Sequence, residues 1–206
     1  MRPLVLAAHG SAHPGHSAVL RWVADRIVGA RPDLDVRIGF LGHDEPRLAD
    51  TATAGAVVVP MLLGSTLHLS TDVPAAAGDA ILAEPIGPDP RLAAVLADRL
   101  REAGWSAGTP VTLAAAGTAQ LDTAARQLAD VLGVTVTAAM AGNADADFPA
   151  LADLEPEAVA TYLLGPGHFA EIVAGCGAPV VSAPIGADPR VAEVAMGRYD
   201  AALPLF

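Results

Sequence analysis

The chain repeats itself, and the repeat limits the folds open to it. The segment Pro85-Ile86-Gly87-Pro88-Asp89-Pro90-Arg91-Leu92-Ala93 returns 99 positions later as Pro184-Ile185-Gly186-Ala187-Asp188-Pro189-Arg190-Val191-Ala192. Leu62-Leu63-Gly64 returns as Leu163-Leu164-Gly165. Leu6-Ala7-Ala8-His9-Gly10-Ser11-Ala12 returns as Leu113-Ala114-Ala115-Ala116-Gly117-Thr118-Ala119. Three matches in one order imply two homologous lobes. The seam falls in the turn-rich stretch 104–110, which divides the chain into residues 1–105 and 106–206. A length of 206 residues suits two domains of about 100 residues each.

Within each lobe, short apolar runs alternate with helical patterns. Residues 3–8, 35–41, 57–62 and 80–84 read as strands of lobe one, and residues 16–30, 46–54, 71–80 and 90–103 as helices. In the first helix Val19, Leu20, Val23 and Ile27 recur at helical spacing, and Pro32 stops it. Lobe two follows suit, with strands near 111–115, 134–140, 159–164 and 179–182 and helices near 121–132, 149–153, 169–174 and 189–199. Alternating β and α with near-continuous apolar strands means parallel sheets covered on both faces. The expected fold is α/β: two similar doubly wound parallel-sheet lobes facing a central cleft.

Composition narrows the function. Hydrophobic residues make up 52% of the chain, ample for a core, yet no apolar run approaches the roughly 18 residues of a membrane span. Met1-Arg2-Pro3 runs straight into a strand without a signal-peptide pattern, so a cytoplasmic protein with no membrane partner is expected. A net charge of −11 argues against nucleic-acid binding. The acidity is uneven: lobe one carries nine arginines against twelve acids, lobe two three against eleven. An anionic ligand is therefore repelled less by lobe one. All twelve basic residues are arginine, which suits carboxylate recognition but equally reflects a compositional bias. The single cysteine, Cys176, permits no intrachain disulfide and reads as a small packing residue.

Chemistry-bearing residues gather where strands end. His9 closes the first apolar run, in Ala8-His9-Gly10-Ser11-Ala12-His13-Pro14-Gly15-His16, and His68 follows the third, in Pro60-Met61-Leu62-Leu63-Gly64-Ser65-Thr66-Leu67-His68. In open α/β sheets ligands bind at that edge. Two imidazoles there suit metal binding or proton transfer. Glycine lets the backbone approach a ligand, and the following helix offers N–H groups to an anion. No Gly-Lys-Ser/Thr follows, so this is not a Walker loop, and no arginine precedes His9-Gly10 as in histidine phosphatases. Taken alone, either histidine reads as structural or as a ligand. His13 and His16 read as loop or helix-start residues. Asp72 reads as a helix cap or as a residue that orients His68.

Together the His-Gly-Ser after the first strand and the Pro-x-x-Leu-x(4)-His-x(3)-Asp-Val-Pro that starts at Pro60 resemble the sirohydrochlorin chelatase family, CbiX/SirB-like members of the class II chelatases. The resemblance implies two lobes around a tetrapyrrole cleft, with His9 and His68 as metal-binding, catalytic histidines. Gly10, Ser11, Ser65 and Thr66 flank them and are the expected substrate contacts. One departure stands out. Members often carry an acidic residue after Phe-Leu at the end of the second strand, but in Phe40-Leu41-Gly42-His43-Asp44-Glu45-Pro46 that place is Gly42. His43, Asp44 and Glu45 are the candidate replacements, with His43 preferred as the third metal ligand. Thr66 also stands where many members have glycine. In lobe two, Ala116 and Phe169 stand where lobe one has His9 and His68, with His168 one place away. One site per chain, on lobe one, follows.

The implied activity is a lyase-class insertion of Co²⁺ or Fe²⁺, with Ni²⁺ a further candidate, into sirohydrochlorin on the way to cobalamin or sirohaem. The divalent metal is then a substrate, no organic cofactor is expected, and the assembly is a monomer or homodimer. Insertion removes two pyrrole protons and delivers a dehydrated metal. Imidazole does both, as a borderline ligand and as a base near neutral pH. Arg21, Arg47 and Arg91 are candidates to meet the substrate's carboxylates. Two other readings stand beside this one: a non-catalytic metal or tetrapyrrole carrier on the same fold, and a phosphate-handling hydrolase using His9.

Overall fold

The computed structural model describes residues 1–64 and 68–203, and for His68 and Leu69 the backbone alone. Among the described residues eight strands form two four-stranded parallel sheets. In the first, β1 (Leu4–Ala8), β2 (Val36–Phe40), β3 (Val57–Pro60) and β4 (Ile81–Leu82) lie in the order β2-β1-β3-β4. In the second, β5 (Val111–Ala115), β6 (Val136–Met140), β7 (Ala158–Tyr162) and β8 (Val180–Val181) lie in the order β6-β5-β7-β8. The central strands β1, β3, β5 and β7 are buried along their whole length. That is why they read as near-continuous apolar runs, interrupted only by the buried Thr112 of β5 and Thr161 of β7. Ala8 pairs with Phe40, and Ala7 with Pro60, so the loops after β1, β2 and β3 leave the same edge. The chain turns to opposite sides of β1 for β2 and β3, which makes this edge a topological switch point.

Helix α1 (Pro14–Ala30) shows how local sequence sets an element. His13 caps it, its Nδ1 accepting the Gly15 N–H at 3.1 Å, with Pro14 in the first turn. Ser17, Leu20, Val23 and Ile27 bury one stripe against the sheet, and the Arg31 N–H closes the helix on the Ile27 carbonyl. Helix α2 (Leu48–Thr51) is shorter than its sequence pattern suggests. So is α3 (Val73–Ala77), which a π-helical turn, His68–Asp72, precedes. Gly78, at φ +55°, stops α3 before residue 80. Helices α4 (Pro90–Glu102), α5 (Leu121–Leu132), α6 (His168–Ala174) and α7 (Pro189–Ala202) complete the described set, with a 3₁₀ turn at Leu151–Asp153 in place of the short helix read at 149–153. None of the described helices is long and apolar enough to cross a membrane.

Packing groups the chain differently from its repeat. One unit comprises Met1–Gly87 with Ala187–Phe206, the other Pro88–Gly186. Each repeat's last helix therefore lies in the other repeat's unit. Helix α7 packs on α1 and β3, while α4 packs on α5 and β7. The Tyr199 hydroxyl donates to the Arg2 carbonyl at 2.7 Å, and Arg31 pairs with Asp200. Arg198 donates to the Pro85 carbonyl at 2.8 Å, and its counterpart Arg99 to the Ile185 carbonyl at 3.3 Å.

The strongest repeated segment sits where the chain passes between units, and its residues are spent on that passage. Asp89 and Asp188 cap α4 and α7, accepting the Arg91 and Arg190 N–H groups at 3.0 and 2.9 Å. The same carboxylates hold both guanidiniums. Ile86 and Ile185 are fully buried.

Candidate functional site

The site grows from the loop after β1. Gly10 has φ +89°, and a Cβ there would lie 1.9 Å from the Gly42 carbonyl oxygen. Only glycine lets the loops after β1 and β2 approach so closely. The β1–β2 ladder runs on past the strands: the Leu41 N–H donates to the Ala8 carbonyl and the Gly42 N–H to the His9 carbonyl, each at 2.9 Å. A third bond crosses between the loops, from the Ser11 N–H to Asp44 Oδ2 at 2.9 Å.

The second loop then turns sharply. The Asp44 N–H donates to the Gly42 carbonyl at 2.7 Å, and the residue between them, His43, has φ +62°. This is the rarer form of γ-turn, on a residue that is not glycine. It brings the His43 ring to 5.9 Å from the His9 ring, centroid to centroid, at 36°. His9, Leu41, Gly42, His43, Asp72, Ala75 and Ala76 line an open cavity of about 470 Å³. His9 Nδ1 lies 3.2 Å from the Gly10 carbonyl. Donation there leaves the lone pair on Nε2, the nitrogen then able to bind a metal or take a proton.

Further imidazoles stand behind His9. His16, in the first turn of α1, is largely buried, and burial pulls its pKa below the ordinary histidine value. The Asp44 carboxylate opposes that shift, while His9 and His13 add to it.

Of the three candidates for the role lost at Gly42, His43 faces His9. Asp44 holds the Ser11 N–H, and Glu45 pairs with Arg47 at 2.9 Å. Ser11 is engaged twice, since its Oγ also accepts the His13 N–H at 3.1 Å. Asp72 stands at the N-cap position of α3 but makes no side-chain cap hydrogen bond, and it lines the cavity. Its His68-x(3)-Asp72 spacing is the one signal in the sequence for that place. Ser65, Thr66 and the side chain of His68 lie outside the described residues. Among the arginine candidates, Arg91 is bound to Asp89, Arg21 donates to Ser17 Oγ at 3.1 Å, and Arg47 holds Glu45. Cys176 packs against the apolar cluster around Val159 and Val173.

Lobe two builds the same edge without the imidazoles. The Ala141 N–H extends the ladder to the Ala115 carbonyl at 2.8 Å, as Leu41 does in lobe one. Beyond that point the loops differ. Asp145 Oδ1 accepts the Asp147 and Phe148 N–H groups of its own loop, each at 2.9 Å. The Phe169 ring stands 3.3 Å from where a Cβ on Gly142 would be.

Residues 3–103 match the CbiX family model. The sirohydrochlorin cobaltochelatase of Methanosarcina acetivorans is 32% identical over 78 residues, which cover 34% of this chain and 60% of that protein. The sirohydrochlorin cobaltochelatase of Methanopyrus kandleri is 26% identical over 139 residues, covering 50% of this chain and 97% of the relative. In three dimensions the chain resembles a CbiX described as the terminal enzyme for biosynthesis of siroheme in denitrifying bacteria. The TM-score is 0.71 at 22% identity, over 98% of this chain and 100% of the other, which establishes the shared fold. On this match residues 3–103 belong to the CbiX family, and the fold shared with that CbiX runs along the whole chain.

Proposed function

We propose that the protein inserts a divalent metal, Co²⁺ or Fe²⁺, into sirohydrochlorin, as a lyase on the way to cobalamin or sirohaem. The observation that carries this reading is the His9–His43 pair, 5.9 Å apart in an open cavity at the switch point of the sheet whose sequence matches the family.

His9, His43 and His68 hold the incoming metal in this proposal, and His9 and His68 take up pyrrole protons. One M²⁺ enters the macrocycle as two N–H protons leave, so metal delivery and proton removal are needed at the same place. Neutral imidazoles bind a borderline metal without the tenacity of thiolate. Few protein ligands leave coordination positions for the macrocycle nitrogens. Burial of His16 favours its neutral form, which limits positive charge beside the incoming cation. Gly10, Ser11, Ser65 and Thr66 supply the substrate contacts around the two loops. Lobe two, with Ala116 and Phe169 in the places of the two histidines, contributes no second metal site.

The test is anaerobic metallation of sirohydrochlorin with Co²⁺ or Fe²⁺, followed by absorption and corrected for the spontaneous rate. The protein accelerates the change. His9→Ala and His68→Ala each lower the rate about 100-fold, the lower end of what a positioned acid or base contributes. A rate no faster than background overturns the activity. Unchanged rates in both variants overturn the site.

A further inference from the structure

We infer that Asp44 is a positioning residue: its carboxylate latches the loop after β2 onto the loop after β1 and thereby holds His43 against His9. The inference deepens the proposed metal site and rests on it. The acid lost at Gly42 has two acidic neighbours, and a carboxylate beside two imidazoles is readily taken for a metal ligand. The contacts assign Asp44 differently. Oδ2 accepts the Ser11 N–H at 2.9 Å, across 33 positions of sequence. The Asp44 N–H meanwhile closes the turn around His43 on the Gly42 carbonyl. One residue thus ties both ends of the arrangement, the backbone of the His43 turn and the backbone just past His9.

Two independent features support the assignment. A non-glycine residue at φ +62° persists only where its surroundings over-determine the turn. His43 is such a residue, and the Asp44 carboxylate anchors its turn to the neighbouring loop. The second feature is the internal repeat. Residues 141–149 of lobe two also carry an acid after the ladder extension, Asp145, but its carboxylate closes on its own loop at Asp147 and Phe148. Among the described residues, the lobe without the histidine pair turns this acid onto its own loop instead.

Asparagine separates positioning from ligation. Its Oδ1 accepts the Ser11 N–H as well as a carboxylate does, but the amide is a poor metal ligand. Two readouts on the whole chain test this: Co²⁺ titration followed by visible absorption, and the nuclear Overhauser contact between the His9 and His43 rings in the metal-free protein. Asp44→Ala weakens Co²⁺ binding about tenfold and removes the ring–ring contact. Asp44→Asn keeps both, with affinity within twofold of the parent. Glu45→Ala, which frees only Arg47, changes neither. Equal losses in Asp44→Ala and Asp44→Asn make Asp44 a ligand and overturn the inference. A ring–ring contact that survives Asp44→Ala overturns it too, whatever the metal does. A parent protein that shows the ring contact but binds no Co²⁺ through His9 overturns the metal-site reading and, with it, the purpose of the latch.

Discussion

Replacing Gly10 with alanine tests the loop contact on which the site depends. Two costs add. The first is conformational, because at φ +89° an alanine is strained by about 1–2 kcal/mol. The second is steric: a Cβ 1.9 Å from the Gly42 carbonyl oxygen forces the two loops apart. Parting them puts at risk the Gly42-to-His9 and Ser11-to-Asp44 hydrogen bonds, each contributing about 1 kcal/mol net. The expected loss is about 3 kcal/mol. Gly133→Ala supplies the comparison. Gly133 ends α5 at φ +68°, with open space where the Cβ would go, so only the conformational cost of about 1 kcal/mol applies. Urea unfolding measures both. In a Trp105→Phe background, Trp22 of α1 reports the unit that holds Gly10; in a Trp22→Phe background, Trp105 reports the unit that holds Gly133. With slopes of about 1–3 kcal/mol per molar urea, a 3 kcal/mol loss moves the midpoint by about 1 M or more. Gly10→Ala also weakens Co²⁺ binding, because the His9–His43 approach is lost. Equal losses at the two glycines would refute the steric contact between the loops.

Two further outcomes follow from the same contacts. The pKa of His16 is lowered in the fold, so the unfolded chain binds more protons as pH falls below about 6.5. Its stabilising contribution is complete above that pH and is lost as pH falls through the folded value, with a slope of at most about 1.4 kcal/mol per pH unit; in metal-free protein His16→Gln flattens the urea stability profile there, and an unchanged profile removes His16 as its source. Asp89→Ala and Asp188→Ala each cost about 1–2 kcal/mol through loss of a helix cap, measured by urea unfolding, whereas Arg91→Gln leaves the KM for sirohydrochlorin within twofold; a large KM effect would return Arg91 to the substrate site.

Local pattern carried most of the fold. Buried parallel strands announce themselves as continuous apolar runs, and each repeat contains its own strand–helix alternation. The exchange of α4 and α7 between units is a different matter. Both helices follow their own repeat in sequence, and an amphipathic face does not say which sheet covers it. The repeat did hold a clue. Asp-Pro-Arg recurs in the lobe that lacks His9 and His68, so its arginine belongs to a feature both lobes share, here the capped helix starts. At the site, sequence brought forward His9 and preferred His43 over its acidic neighbours. It offered no sign of the left-handed turn at His43 or of the carboxylate reaching Ser11, because each depends on a contact between loops more than thirty residues apart. Asp72 read as a cap because Asp before Val-Pro is a common helix start, whereas the preceding π-helical turn leaves it in the cavity wall without a cap bond.

The internal repeat serves as a control for the chemistry. Both lobes keep the parallel sheet, the capped helix after the repeated segment and the first ladder bond past the strand ends, at 2.9 Å in one and 2.8 Å in the other. The fold therefore requires neither His9 nor His68. Lobe one adds features the fold can do without: a glycine against a carbonyl, a left-handed histidine, a carboxylate tied across two loops and a half-buried histidine nearby. The left-handed residue alone costs about 1–2 kcal/mol, which a glycine at position 43 would avoid. Lobe two has a left-handed residue of its own, Gln120 at φ +57°, but it sits at the start of α5; where Phe169 packs over Gly142 no described residue other than glycine is left-handed, whereas in lobe one the strained residue at the matching loop faces a second imidazole. His43 is thus better explained by what it faces than by the turn it occupies, and His9 is what it faces.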